Sequence, residues 1–224
     1  MSSLLKNLDW SYLGDLLLQV IPALLCIMVH EICHGVAAYA LGDRTAADQG
    51  RLSLNPLRHI DPFGLLMLAL FHFGWARPVS VDMRNFKNPK RDMAITALAG
   101  PASNFVLAAA LLFLFGLFYG SLGEGRPGQF VLRLLNTAAY LSIALGLFNL
   151  IPFPPLDGSK VLFSFLPDRL YLRLMVLERY GMFVLIVLVL LMNRLFAVSP
   201  VSAAAQAVYG VFFRIAVFAD SLVR

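Results

Sequence analysis

Residues 30 to 34 read His30-Glu31-Ile32-Cys33-His34, two histidines four positions apart with a carboxylate between them. On a helix turning about 100° per residue, His34 lies about 40° around the axis from His30 and one turn along, so both imidazoles reach one ion. Glu31 then sits about 60° beyond His34, near enough to take a proton from a water on that ion without being a ligand itself. Metal-assisted hydrolysis needs this arrangement: the cation lowers the pKa of water towards about 7 and the carboxylate accepts the proton. The plainer alternative is a chance pattern whose histidines hydrogen-bond to neighbouring helices. The setting weighs against it, because the motif lies in a long apolar stretch, where ionisable side chains are expensive and by default functional. Cys33 reads as a small apolar filler, and Gly35 with the alanines after it as a surface for close helix packing.

A catalytic zinc ordinarily takes three protein ligands and keeps its fourth position for water, so one ligand is still to be found. His59, His72, Asp61 and Asp157 are the candidates by residue type. Asp157 ends the run Asn149-Leu150-Ile151-Pro152-Phe153-Pro154-Pro155-Leu156-Asp157-Gly158, whose prolines stop a helix and fix the segment that follows. Such a segment holds a carboxylate rigidly, but an aspartate there serves equally well as N-cap of the apolar segment starting near Lys160. The residues alone leave the two readings even. Asn104, about 15 Å into the span that begins near residue 94, stands at the depth of His30 and His34, about 12 to 18 Å from the inner end of their own helix. Its amide is placed either to donate to a substrate carbonyl or its developing oxyanion, or to bond one helix to the next beside small residues.

The elements that must position these groups follow from composition. The 224 residues are 59% hydrophobic and 14% charged, too few charges for an ordinary water-exposed surface, so lipid is the expected solvent. Stretches 12–41, 94–120, 130–151 and 182–198 are long enough, or nearly so, to cross a core that needs about 20 apolar residues, and 201–219 is a weaker fifth because Gln206 and Arg214 interrupt it. The first run continues past the usual length of a signal peptide and has no small-residue cleavage site, so it is expected to remain. The net charge of +5 is carried by loops. Arg44, Arg51 and Arg58 fall in 42–62, Arg77, Arg84, Lys87, Lys90 and Arg91 in 77–93, and Lys160, Arg169, Arg173 and Arg179 in 152–181. By the positive-inside rule these loops are cytoplasmic, which explains the basic balance as topology and not as nucleic-acid binding. Segment 63–76 then has both ends on one side. As a helix it reaches only about 21 Å, against a core of about 30 Å, which marks a re-entrant segment beside a wet cavity. The later spans are expected to run outward, inward, outward and inward in turn. Cys26 and Cys33, two turns apart on one helix, do not form a structural bridge. With no repeat and no linker, residues 1–224 read as one all-α polytopic membrane domain of about five transmembrane helices plus a short re-entrant or hairpin segment.

Several separated motifs, in order, carry a resemblance: the HExxH helix, Gly50 to Pro56 leading to His59-Ile60-Asp61-Pro62, Gly74-Trp75-Ala76-Arg77-Pro78-Val79, Ala99-Gly100-Pro101 with Asn104, and Asn149 to Gly158. Over about residues 20–165 the chain resembles the site-2 protease family of intramembrane zinc metalloproteases, peptidase family M50, in the compact bacterial form without a PDZ or CBS domain. The resemblance implies one Zn2+ held by His30, His34 and Asp157, with Glu31 as the catalytic carboxylate. It also implies that Asn104 and Asn149 line the site, and that 63–81 forms a membrane-associated hairpin receiving an unwound substrate segment. His59 matches a feature of the compact subgroup, with its role open between support behind the ligands and loop structure. The implied activity is endoproteolysis of single-span membrane proteins in the lipid bilayer of the cell membrane, at a site towards the cytoplasm. A metal-binding transporter or non-catalytic scaffold is the rival reading, and hydrolysis of a small amphiphile a third. Against transport stands the lack of polar residues spread along several spans.

Overall fold

The computed structural model describes residues 10–55, 58, 59, 61, 77–122, 125–195 and 200–224. The expected re-entrant segment 63–76, with His72, lies outside them. The described residues are helical and contain no strand. Helix α1 (Trp10–Ala40) is followed by a one-turn helix α2 (Thr45–Asp48) and a 3-10 turn at Met83–Asn85. Then come α3 (Pro89–Leu122), α4 (Arg126–Asn149), the short α5 (Asp157–Ser164), α6 (Asp168–Leu195) and α7 (Pro200–Ser221). Among these, α1 (from Leu16), α3, α4 and α7 are long and apolar enough to cross a membrane. Their outward faces are apolar too: Val106 is 70% exposed, Val211 61% and Val217 60%, a surface suited to lipid and not to water.

Helix α3 is the centre of the bundle and packs against α1, α4, α5 and α7. It starts where the sequence permits a helix to start. Pro89 occupies the first turn, where a missing N–H is harmless, and the Asp92 carboxylate reaches back to accept from the Asn88 backbone N–H at 2.9 Å. Its contacts with α4 and α7 are built from small residues around Leu111, Leu112, Ala138, Ala139 and Ala216. At Gly116 an added Cβ would stand 2.1 Å from the Ala216 carbonyl oxygen, so the two backbones touch only because this position lacks a side chain.

The last span departs from the expected alternation. Ala205 packs beside Ala108 and Ile143, whereas Ala216 packs beside Leu112 and Ala139. Helix α7 therefore runs parallel to α3 and antiparallel to α4, opposite to the course expected for it. Small residues on its buried side, Ala205, Ala216 and Ala219, let it seat there, while Gln206 and Arg214 lie on the exposed side and do not interrupt the packing. Residues 182–195 of the stretch 182–198 form the end of α6, which begins at Asp168, well before the apolar run. The Asp168 carboxylate meets the Lys90 ammonium at 3.0 Å, so the charged residues expected as a loop are the first half of a helix tied to the inner end of α3. Both cysteines are free thiols.

At the inner end of α1, Asp43 is wholly buried and acts as a knot. Its carboxylate accepts from the backbone N–H groups of Thr45 at 3.0 Å and Asp82 at 2.7 Å, and from the Asn85 amide at 2.7 Å. Burial pushes its pKa up, but hydrogen bonds from Thr45, Asn85 and Asp82 outweigh that and hold it below the usual carboxylate value. A carboxylate depressed in the folded state adds stability above its unfolded pKa of about 3.9, lost as pH falls through the folded value. Asp43→Asn, which turns an NH2 towards these donors, is expected to lower the melting temperature in detergent near neutral pH. The gap to wild type should close below about pH 4, as read from melting curves across a pH series.

Candidate metal centre

Helices α1 and α3 meet along a face of α3 marked by positions 96, 100 and 104, spaced one turn apart. His34 lies at the Thr96 end and His30 at the Asn104 end, as antiparallel packing requires. The His34 Nδ1 is 2.7 Å from the Thr96 carbonyl oxygen, and the His30 Nδ1 is 3.1 Å from the Asn104 amide. Between them Gly100 leaves the space the rings occupy. A Cβ there would fall 2.4 Å from His34 Nε2 and 2.7 Å from His30 Cε1.

The third side chain arrives from far along the chain. After α4 the proline-rich segment folds back on itself, so that a Cβ on Gly158 would stand 2.2 Å from the Leu150 carbonyl oxygen. Only a glycine permits that return. It places Asp157 at the first position of α5, capped by Leu156 without a side-chain cap. The capping alternative for Asp157 therefore does not describe it: its carboxylate turns inward instead. The Oδ2 atom is 3.1 Å from His30 Nε2 and 3.1 Å from His34 Nε2, and the two Nε2 atoms are 3.0 Å apart. The rings stand at 87° to each other, and His30, His34 and Asp157 are 4%, 8% and 7% exposed.

These three atoms suit one small cation. In a tetrahedral zinc site with bonds near 2.0–2.1 Å, neighbouring ligand atoms are about 3.3 Å apart, close to the separations here. The chemistry agrees with the distances. A carbonyl oxygen only accepts, so His34 carries its proton on Nδ1 and turns a lone pair on Nε2 towards the other imidazole and a carboxylate oxygen. Three electron-rich atoms buried within 4.8 Å of one another are suited to one metal ion, and two imidazoles with one carboxylate are a donor set zinc accepts. The second carboxylate oxygen, Oδ1, is 3.6 Å from the Lys160 ammonium, which also faces Glu178 at 3.9 Å.

Glu31 stands outside this triad, as its helical angle implied. Its Oε2 accepts a hydrogen bond from the Val79 backbone N–H at 2.8 Å. The segment 77–82 thus runs beside the motif, and the Asp43 knot anchors it at Asp82. Asn149 donates to the Leu145 carbonyl in its own helix at 3.0 Å, a contact that does not bring it to the triad. His59 is buried in the loop that follows α2, where its Nε2 pairs with the Ser53 carbonyl at 2.8 Å and its own carbonyl accepts from the Arg77 N–H. That is the contact of a loop-forming residue. A cavity of about 1190 Å³ near Tyr119, Arg133 and Arg224 opens at the other end of α3, lined by none of these groups.

The family model described as peptidase family M50 matches residues 126–192. YwhC of Bacillus subtilis (strain 168), named as a zinc metalloprotease, is 38% identical over 171 residues, which cover 75% of this chain and 78% of YwhC. The chain belongs to peptidase family M50. A second relative, Rip2 of Mycolicibacterium smegmatis, also named as a zinc metalloprotease, is 30% identical across 80% of this chain and 69% of its own. No solved structure matches significantly. The family expected from the ordered motifs is therefore shown.

Sequence reasoning assigned no such role to four contributors. Lys160 was signalled by its spacing one turn after Asp157, and Gly100 by its place beside Pro101 and Asn104. Thr96 and Val79 act through backbone atoms and leave no side-chain signal. Gly100→Ala forces both imidazoles from their places without removing a polar group. We expect it to bind zinc at least about tenfold more weakly, measured by competition with a chromophoric chelator, while helical content by circular dichroism stays unchanged.

Proposed function

We propose that this M50 peptidase is a zinc-dependent endopeptidase that cleaves membrane-spanning segments of single-span proteins within the bilayer. The observation that carries the reading is the convergence of His30 Nε2, His34 Nε2 and Asp157 Oδ2 within 3.1 Å inside apolar helices. His30 lies ten residues from the inner end of α1 at Ala40, about 15 Å by helical rise, which is well inside a hydrocarbon core of about 30 Å.

One zinc ion, when bound, supplies Lewis-acid activation of water and polarisation of the peptide carbonyl. The chain's own groups do the rest. His30, His34 and Asp157 fix the point of attack, and Lys160 holds the outer oxygen of Asp157 so that Oδ2 stays turned inward. Glu31, adjacent to His30 in sequence but outside the ligand set, accepts the proton of the attacking water and returns it to the leaving amine. Its carboxylate is aimed by the Val79 N–H. A helical substrate hides its peptide bonds in its own hydrogen bonds, so the substrate must unwind before attack. Segment 77–82, beside Glu31, is the place where an unwound stretch would be received. The basic residues of the loops at this end of the bundle support a site towards the cytoplasmic face of the cell membrane.

Glu31→Gln is expected to retain zinc by elemental analysis and to lose cleavage of a single-span reporter in vesicles by on the order of a hundredfold or more. Unchanged cleavage would remove the proposed mechanism, and Glu31-independent zinc flux into proteoliposomes would favour the transporter reading. For sidedness, a cysteine at exposed Arg84 should react with a membrane-impermeant maleimide in inverted vesicles and not in right-side-out cells. The opposite pattern would invert the orientation.

A further inference from the structure

Asn104 is completely buried, and its side-chain amide nitrogen lies 3.1 Å from the back of the His30 ring, the Nδ1 atom. As placed, the amide turns its nitrogen to that atom and its oxygen, Oδ1, has no hydrogen-bond partner. The oxygen and nitrogen of an amide are told apart by their partners, and here the partner decides. His30 turns Nε2 to Asp157 and to His34. An imidazole that ligates through Nε2 keeps a lone pair there and carries its proton on Nδ1. An N–H facing an NH2 group is two donors without an acceptor. Half a turn of the amide about its last bond resolves the conflict and breaks no hydrogen bond of Oδ1, because none is made.

We propose that Asn104 is a positioning residue for His30, its side-chain oxygen accepting a hydrogen bond from the Nδ1–H. This deepens the zinc-site reading above and rests on it. The bond does two things. It fixes the tautomer that leaves the Nε2 lone pair free, and it stops the ring from rotating about its terminal torsion. His34 is held in the same manner, since its Nδ1 faces the Thr96 carbonyl, which also only accepts. The two ligands are thus braced by one face of α3, one through a backbone oxygen and the other through a side-chain oxygen eight residues on.

The same geometry takes Asn104 out of the oxyanion role considered from its depth. Nδ1 and Nε2 point to opposite sides of an imidazole, so a group bonded to Nδ1 lies behind the ring from the ion. A substrate carbonyl on the ion does not reach a side chain that is 0% exposed and already behind His30.

The test uses the full chain in detergent, with zinc affinity measured by chelator competition for wild type, Asn104→Asp, Asn104→Leu and His34→Ala. Asn104→Leu keeps the branched shape and the number of heavy atoms and removes the acceptor, and is expected to weaken zinc binding by about 10- to 100-fold. Asn104→Asp keeps an acceptor oxygen and should stay within about threefold of wild type. In parallel, the wild-type chain with 15N-labelled histidine and bound 113Cd is expected to show cadmium coupling at Nε2 of His30 and a slowly exchanging proton on its Nδ1. This last measurement needs no variant to fold. Wild-type affinity in Asn104→Leu, equal losses in Asn104→Asp and Asn104→Leu, or cadmium coupling at Nδ1 of His30 would each overturn the proposal. If His34→Ala also binds zinc like wild type, it is the metal-site reading itself that fails.

Discussion

The meeting of one Asp157 oxygen with two imidazole nitrogens is the interaction around which the inner half of the bundle is arranged. The partners are 123 or more residues apart, and none tolerates burial alone. A carboxylate taken from water without partners is strongly disfavoured, as are unpaired imidazoles among apolar helices. Each is acceptable only beside the others, as a group suited to hold a cation. The surrounding features then follow as geometric needs. Gly100 is empty where the rings sit, Gly158 lets the proline-rich return come close enough, and Lys160 takes up the oxygen that the triad leaves over.

A second set of polar contacts, at the inner end of α1, does a different job. Asp43 ties α2 to residues 82–85 through four donors, and that tie sets the course of the segment carrying Val79. Through the Val79 N–H the course of a backbone segment becomes the orientation of Glu31. Glu31 and the His30–His34–Asp157 group therefore have separate supports. Helix packing between α1 and α3 orients the two imidazoles, and a loop anchored by a buried carboxylate orients Glu31.

How far the sequence could be read depended on the kind of signal. His30, Glu31 and His34 share one helix, where a fixed turn per residue converts spacing into direction, and their arrangement follows from local geometry. The spans α1, α3 and α4 were legible for a similar reason, since lipid demands runs of apolar residues of a set length. The role of Asp157 was not decided by its residues. A carboxylate after a proline-rich turn faces either its own helix or the rest of the molecule, and both choices are chemically satisfied.

The sequence by itself thus determined the membrane-spanning class, the helix that carries the histidine pair and the presence of carboxylates to complement it. Tertiary structure alone decided that Asp157 turns inward, that α7 runs parallel to α3, and that Thr96, Asn104 and Val79 stand against His34, His30 and Glu31. The physical reason is range. Helical periodicity and hydrophobic length act over a few turns and are written in consecutive residues. Which backbone carbonyl or amide lies behind a ring depends on how two distant helices dock, and docking is set by the shapes of many small residues acting together.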